Sequence, residues 1–578
     1  MQRTLRLSVV VGLLSCVVLG LVARLIYLAW WERPFLLKQS EVRIVRKIQM
    51  PAYRGMLLDR TGMPLGITTP VESIWVNPAQ YMLSKGADEG KKAQFVALST
   101  RSKQLEHQLA TLLDIPCDVL SKRLHPAMHP GEHHEFVYVE RSVSEEIAER
   151  VRALHIPGLY FQSEYRRSYP EGEVAAHVLG MTNVDERGIE GLELAYNDWL
   201  GGSAGIKEVV KDRMGHVIAD VALLKEPVQG HDIMLSLDHR FQYAAYHAIK
   251  QAVIEAGAES GSVIILDAHT GEVLAMANVP SYDPNAKRVP AVDGRYRNRA
   301  VTDLFEPGSV MKPFTVIQAL LSGHYTPDSQ IDTAPGWLDV GGYRISDDGR
   351  NGVVNLTQLL AKSSNIAAAK ILLAIGPEQQ SQLLQRLGFG VLPHSGFPGE
   401  AVGQVMRNRR WEPSEIATLA YGYGISVTAL QLAQAYLTVA NHGVHIPITF
   451  LKRDTTPMGE RLLPQSVADT VLNMLRSVVE EGTGTRARVP GYAIAGKTGT
   501  AYIAGPNGYR ERHYMSSFVG VGPLPDPRLV IVVVMRDPKK AHMAGYVSAP
   551  VFSQVMQESL HLLSIPPDPA LMSTNRVA

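Results

Sequence analysis

"GSVIILDAHTGEVLAMAN", residues 261–278, decides the fold. Two apolar, β-rich runs flank a turn at His269-Thr270-Gly271, the pattern of an antiparallel hairpin. At the far end of the same block come "YAIAGKTGTAYI" (492–503), "SSFVGVGPL" (516–524) and "LVIVVVMRD" (529–537), which read as three successive antiparallel strands. Between hairpin and strands the chain is helix-rich to about residue 480. Strands at both ends with helices between them predict an α+β domain: one antiparallel sheet assembled from both ends, flanked by helices.

Three further segments extend that block. "HDIMLSLDHRFQYAAYHAIKQAVIEAG" (231–257) reads as a strand leading, after Asp238, into a long amphipathic helix. "TALQLAQAYLTVANHG" (428–443) is a helix capped by Thr428 and stopped at Asn441-His442-Gly443. "SAPVFSQVMQESLHLL" (548–563) predicts a closing helix with Pro550 in its first turn. Upstream, residues 32–230 are mixed α and β. "VALSTRSKQLEHQLATLLDI" (96–115) is helical in pattern, and "SVSEEIAERVRALHI" (142–156) offers a serine N-cap before a periodic helix. "SIWVNP" (73–78) and "EFVYVER" (135–141) read as strands.

A chain of 578 residues is too long for one core. Its 46% hydrophobic and 20% charged residues are ordinary for globular protein, and a net charge of +1 gives no reason to expect nucleic acid. The two cysteines, Cys16 and Cys117, have neither a metal-binding spacing nor a favourable placement for pairing.

Residues 7–31, "LSVVVGLLSCVVLGLVARLIYLAWW", carry the membrane signal. The uncharged part, residues 7–23, is near the lower limit for a span. Arg24 can snorkel, and Tyr27, Trp30 and Trp31 suit the far interface. No small-residue cleavage site follows, so the segment reads as an uncleaved anchor. Arg3 and Arg6 favour an inside N-terminus, while Arg33, Lys38, Arg43, Arg46 and Lys47 pull the other way. Long domains translocate largely regardless of such charges, and N-inside is the expectation.

The chemistry lies in three short motifs. "FEPGSVMKPFTV" (305–316) places Ser309 three residues before Lys312, one helical turn apart on one face. A serine hydroxyl becomes a nucleophile when a neighbouring base takes its proton, and a lysine depressed by burial can serve. "LLAKSSNIAAAKI" (359–371) holds Ser363-Ser364-Asn365 at the start of a small-residue helix, where a serine is also simply an N-cap. Lys497-Thr498-Gly499-Thr500 opens the last sheet. On an extended strand Thr498 and Thr500 project to one face, Lys497 and Gly499 to the other. Gly499 lets a substrate lie against the backbone, and threonine hydroxyls with a lysine charge suit a terminal carboxylate. The order S-x-x-K, S-x-N, K-T-G, with 54 and then 134 residues between motif starts, is far more specific than any one motif.

That order matches the signature of penicillin-binding proteins and active-site serine β-lactamases. With "YRGMLLDRTGMPLG" (53–66), "GIEGLELAYNDWLGG" (188–202), "RNRAVTDLFEPGSVMKPF" (297–314), "YGYGISVTALQLAQAY" (421–436) and "IAGKTGTAYIAGPNG" (494–508), the chain most resembles a class B penicillin-binding protein of the FtsI septal D,D-transpeptidase type. The resemblance implies a single-pass inner-membrane protein at the division septum. Residues 1–6 would be cytoplasmic, 7–31 the anchor, 32–230 a periplasmic pedestal, 231–566 a serine β-lactamase-like transpeptidase domain, and 567–578 a tail.

It also implies roles. Ser309 is the nucleophile and Lys312 its base, held neutral by burial and nearby positive charge; Ser363 and Asn365 relay protons and hold the donor amide. Lys497, Thr498, Gly499 and Thr500 hold the donor carboxylate, and the backbone N–H groups of Ser309 and Thr500 form the oxyanion hole. Stem peptides of peptidoglycan and β-lactams are the expected ligands. A polytopic glycosyltransferase and other division proteins are the expected partners, and neither cofactor nor metal is expected. The rival functions are a D,D-carboxypeptidase, a serine β-lactamase, and an acylated sensor or non-catalytic division scaffold.

Two other stretches invite a second reading. "RLHPAMHPGEHHEF" (123–136) gathers His125, His129, His133 and His134, but Pro126 and Pro130 oppose the helix a metal pair would need, so it reads as an exposed loop. "YRRSYPEGE" (165–173) reads as a structural turn.

Overall fold

The computed structural model describes residues 2–35, 45–50, 52–78, 80–81, 92–125, 136–211, 217–286, 294–406, 410–505 and 508–573. The chain divides into two compact units: residues 1–54 with 201–230, and residues 55–200 with 231–578. The first holds the helix Gln2–Trp30 and a three-stranded antiparallel sheet of Val45–Met50, Gly205–Lys211 and Val217–Lys225, with Gly205–Lys211 in the middle. Within that helix Leu7–Trp30 is 24 residues of exposed, apolar sequence, about 36 Å at 1.5 Å per residue. That length matches the hydrocarbon core of a bilayer.

The second unit is organised by two sheets. In its N-terminal part, the strand Pro64–Val76 pairs antiparallel with Leu159–Ser168 and with Val137–Val143. Helices Lys92–Leu113, Cys117–Leu124 and Glu145–Arg152 accompany this sheet, the last capped by the Ser144 hydroxyl, and Leu109, Leu120, Ile74 and Val139 share one apolar core. The "YRRSYPEGE" stretch is not a turn throughout. Tyr165 to Ser168 finish the strand, because Arg167 is fully buried opposite Thr68. Of the histidine-rich stretch, His129, His133 and His134 lie outside the described residues, and His125 closes a helix 3.4 Å from Glu106. Cys16 and Cys117 are both free.

The other sheet has the predicted two-ended assembly: Val273–Val279, Ser260–Asp267, Leu529–Arg536, Gly508–Gly522 and Ala495–Gly505, antiparallel throughout. Its faces follow the two-residue period. Val263, Ile265, Ile531 and Val533 pack with Phe241, Ile249 and Phe552 of the helices His239–Ala256 and Ala544–Leu562. Ile264, Leu266, Val530 and Val532 share a larger core with the helix Ala429–Ala440 and its neighbours. Both faces are covered, which explains the unbroken apolar run at 529–535.

Two boundaries differ from expectation. The closing helix begins at Ala544, so Pro550 lies inside it rather than in its first turn; the apolar face that packs on the sheet, including Val547, extends the helix upstream. The strand expected at 231–237 is only Ile233–Met234, paired in parallel with Leu57–Leu58. Asp238 caps the following helix as predicted, its carboxylate accepting the Arg240 N–H at 3.0 Å.

Candidate active site

The three motifs converge. Ser309 lies in a 3₁₀ turn, Gly308–Met311, that runs directly into the helix Lys312–Leu321. The turn is fixed from behind: Tyr436 donates its hydroxyl to the Val310 carbonyl at 2.7 Å, and Thr315 donates to the Ala420 carbonyl at 2.8 Å. Its entry is a close backbone crossing, with the Gly308 N–H donating to the Gly422 carbonyl at 3.1 Å. A Cβ on Gly422 would stand 2.2 Å from the Gly308 oxygen, so no other residue fits.

Lys312 Nζ is 2.9 Å from Ser309 Oγ, 3.0 Å from Ser363 Oγ and 2.5 Å from the Ser363 carbonyl. Lys497 Nζ reaches the same Ser363 Oγ at 3.0 Å from the other side. It also donates to the Thr498 carbonyl at 3.0 Å and lies 3.4 Å from the Thr498 hydroxyl. Thus the alternation that sends Lys497 and Thr498 to opposite faces at Cβ is undone by the long lysine stem. The Thr498 hydroxyl also sits 2.7 Å from that of Thr483.

Ser363 is not a helix N-cap. It takes a left-handed conformation, φ +58°, at the C-terminus of Leu356–Lys362, while Ser364 caps the helix Asn365–Ile375. This kink between two helices presents the Ser363 hydroxyl to both lysines and its carbonyl to Lys312. Asn365 donates to the Ser346 carbonyl at 3.0 Å. Asp347, which carries no motif, holds the kink: one carboxylate oxygen accepts the Ser364 hydroxyl at 2.6 Å, the other the N–H groups of Asn365 and Ile366 at 2.6 and 3.0 Å.

Gly499 also has a packing role. A Cβ there would meet Ser517 Oγ at 2.6 Å, Val310 Cγ1 at 2.8 Å and the Pro307 carbonyl at 2.9 Å. Glycine is required so that the nucleophile's turn can press against the strand. Thr500 accepts the Ala544 N–H on its hydroxyl at 3.1 Å, tying the strand to the closing helix.

Burial sets the electrostatics. Complete burial depresses Lys312 to about 7, against the opposing pull of Asp347 and Asp348. The expectation that positive charge helps to neutralise Lys312 is corrected here: desolvation is what depresses it. The repulsion falls on Lys497, which burial and then Lys312 hold well below the ordinary lysine range. At neutral pH the fold therefore supplies an amine base 2.9 Å from a hydroxyl. Sequence reasoning missed Asp347, whose "SDDG" setting has no spacing signal. A cavity of about 760 Å³, lined by Arg123, Tyr138, Arg141 and Arg166 among others, contains none of the motif residues.

A hydroxyl, a neutral amine and a second serine bridged to a second amine define a serine acyl-transferase of the lysine-activated class. The family model "Penicillin binding protein transpeptidase domain" matches residues 261–557, and "Penicillin-binding Protein dimerisation domain" matches 49–235. The chain is 39% identical to the probable peptidoglycan D,D-transpeptidase PbpC of Pseudomonas aeruginosa over 569 residues, 98% of this chain and 97% of that protein. It is 38% identical to the peptidoglycan D,D-transpeptidase FtsI of Escherichia coli, across 96% and 92% of the two chains. Its fold is similar to penicillin-binding protein 3 of Mycobacterium tuberculosis complexed with aztreonam: TM-score 0.68, 27% identity, 91% of this chain and 99% of that one. The chain belongs to the penicillin-binding protein transpeptidase family.

Proposed function

We propose that the protein crosslinks the stem peptides of septal peptidoglycan as a D,D-transpeptidase, through an acyl-enzyme on Ser309. The observation that carries this reading is Lys312 Nζ, fully buried, 2.9 Å from Ser309 Oγ. In the first step the neutral amine takes the Ser309 proton, and Oγ attacks the carbonyl between the two terminal D-alanines. The carbon–nitrogen bond breaks, and the proton passes to the departing D-alanine. The Ser363 hydroxyl, in contact with both lysines, suits the relay of that proton. Asn365 holds the donor amide.

Lys497, Thr498 and Thr500 receive the donor carboxylate, while Gly499 keeps their strand against the nucleophile's turn. A carboxylate arriving beside Lys497 supplies the counter-charge its burial denies it, and so favours its protonated form. The N–H groups of Ser309 and Thr500 receive the oxyanion, each such donor contributing about 10²–10³-fold in rate. In the second step a side-chain amine of a neighbouring stem attacks the ester carbon, and Ser309 regains its proton.

β-Lactams acylate Ser309 because their ring resembles the terminal dipeptide. The anchor at 7–31 holds the pedestal (32–230) and the transpeptidase domain (231–566) on the periplasmic side, ahead of the tail at 567–578. Septal use, with a polytopic glycosyltransferase and other division proteins as partners, is part of this proposal. Intact-mass analysis after benzylpenicillin tests the reading: a stable adduct mapped to Ser309 is expected, and its absence overturns it.

A further inference from the structure

Among the described residues no carboxylate touches the two lysines of the site, yet one fixed carboxylate stands behind them. Asp347 follows the hairpin of Trp337–Val340 and Tyr343–Ser346. Its Oδ1 accepts the N–H groups of Asn365 and Ile366, and its Oδ2 accepts the Ser364 hydroxyl and, at 2.9 Å, the Asn351 amide. A carboxylate offers about four acceptor positions, so this one is filled and held in a single place. None of its four donors carries a charge, which leaves its own charge free to act beyond them.

That place is the joint of the site. The bonds to residues 364–366 close the N-terminus of Asn365–Ile375 directly after Ser363, whose hydroxyl lies 3.0 Å from both amines. Ser363 is left-handed, φ +58°, a conformation that the surrounding bonds must hold. Asn365 in turn donates to the Ser346 carbonyl at 3.0 Å, so the segment is gripped at two successive residues. Asp347 therefore acts on Lys312 and Lys497 by way of Ser363, with no ion pair to either.

Its charge reaches them through space. The positive end of Asn365–Ile375 adds to the cost of a protonated lysine nearby, and a carboxylate on that end offsets it. Asp347 and Asp348 both oppose the burial that depresses Lys312. Asp348 is exposed and accepts no hydrogen bond among the described residues, so water screens it and nothing fixes it. The helices packed on Lys312–Leu321 add little. Lys362, Glu378 and Arg386 are exposed, Lys370 donates to the Asp332 carbonyl at 2.7 Å, Arg476 pairs with Glu480, and Asp469 with His442. Lys497 and Asp347 are thus the fixed ionisable groups that bear on the base.

We propose that Asp347 is a positioning residue of the acyl-transfer step: its hydrogen bonds set the Ser363 hydroxyl between the two lysines, and its charge sets how firmly Lys312 holds the proton taken from Ser309. The assignment rests on the acyl-enzyme reading, in which that proton transfer opens the reaction.

The test uses the full-length protein in detergent and two variants. Asp347→Asn keeps an oxygen for the N–H groups of Asn365 and Ile366 but drops the charge; Asp347→Glu keeps the charge at a different reach. The second-order rate of benzylpenicillin acylation is followed from pH 5 to pH 9. It is taken per molecule that forms an adduct, so that any misfolded fraction drops out. Without the carboxylate a protonated Lys312 is less favoured. The break in the Asp347→Asn profile is therefore expected about one pH unit below that of wild type, the size of one charge acting across a partly polar interior. The plateau above the break falls about tenfold, since the base is weaker and Ser363 less firmly placed. Asp347→Glu also loses plateau rate but keeps the wild-type break. A parallel fall at every pH in Asp347→Asn, its break unmoved, means that the residue only braces the turn and overturns the proposal. So does a break that moves as far in Asp347→Glu, or an Asp347→Asn profile indistinguishable from wild type. Wild-type protein that forms no benzylpenicillin adduct overturns the acyl-enzyme reading instead, a separate and recognisable result.

Discussion

Two sites in the same compact unit bury cations and treat them in opposite ways. At Arg167 the guanidinium is fully enclosed but paired with a carboxylate: Nε meets Glu193 Oε1 at 2.6 Å and Nη1 donates to the Gly55 carbonyl at 2.8 Å and the Thr68 hydroxyl at 3.1 Å, while Nη2 has no partner among the described residues. At Lys312 and Lys497 the amines are equally buried, yet their partners are hydroxyls and carbonyls, with no carboxylate in ion-pair contact among the described residues. A paired cation stays charged and serves the fold. An unpaired one gives up its proton and becomes a base. The contrast separates structure from chemistry without reference to any motif.

The sharpest way to break this contrast is to remove the base. Lys312→Met is expected to slow benzylpenicillin acylation about 10³-fold, the range of a lost general base. Stability should move the other way or not at all. The folded chain holds this lysine near 7 against 10.5 in water. Between those values the unfolded chain binds more protons, so the group costs stability, most of all below 7, and the cost shrinks as pH rises toward 10.5. Replacing it with an apolar side chain removes that cost, and a thermal melt at pH 7 should show an unchanged or higher midpoint. A midpoint many degrees lower would mean that Lys312 braces the fold as Arg167 does.

The reciprocal experiment is Arg167→Met, which takes the buried cation from beside the Glu193 carboxylate and should cost about 3–5 kcal/mol. The melt should fall by several degrees while the acylation rate per folded molecule stays at the wild-type value. The double substitution with Glu193→Leu should recover part of the loss, because the Arg167–Glu193 pair is then removed as a unit.

Much of this was readable in the letters. The sheet built from both ends follows from alternating or continuous apolar runs that only strands explain, and Ser309 with Lys312 follows from one-turn spacing. What the letters conceal is backbone handedness and approach. Ser363 looks like a helix cap, and only the fold reveals that Ser364 caps while Ser363 turns left-handed toward the lysines. Gly499 invites a substrate reading, whereas the atoms that would collide with its Cβ belong to the protein's own turn. Asp347 escaped because it acts on Ser364 from outside any motif, where no spacing rule applies. Pro550 suggested a helix start, but packing against the sheet carried the helix through it.

The measurement that tests the account most directly is the pH dependence of the second-order rate of acylation by benzylpenicillin. A base at about 7 is protonated and idle below that value. The rate should therefore fall about tenfold for each pH unit below 7 and level off above it, with the break absent from any residual rate of Lys312→Met. A rate flat down to pH 5, or one still climbing toward pH 10 as for an ordinary lysine, would contradict it.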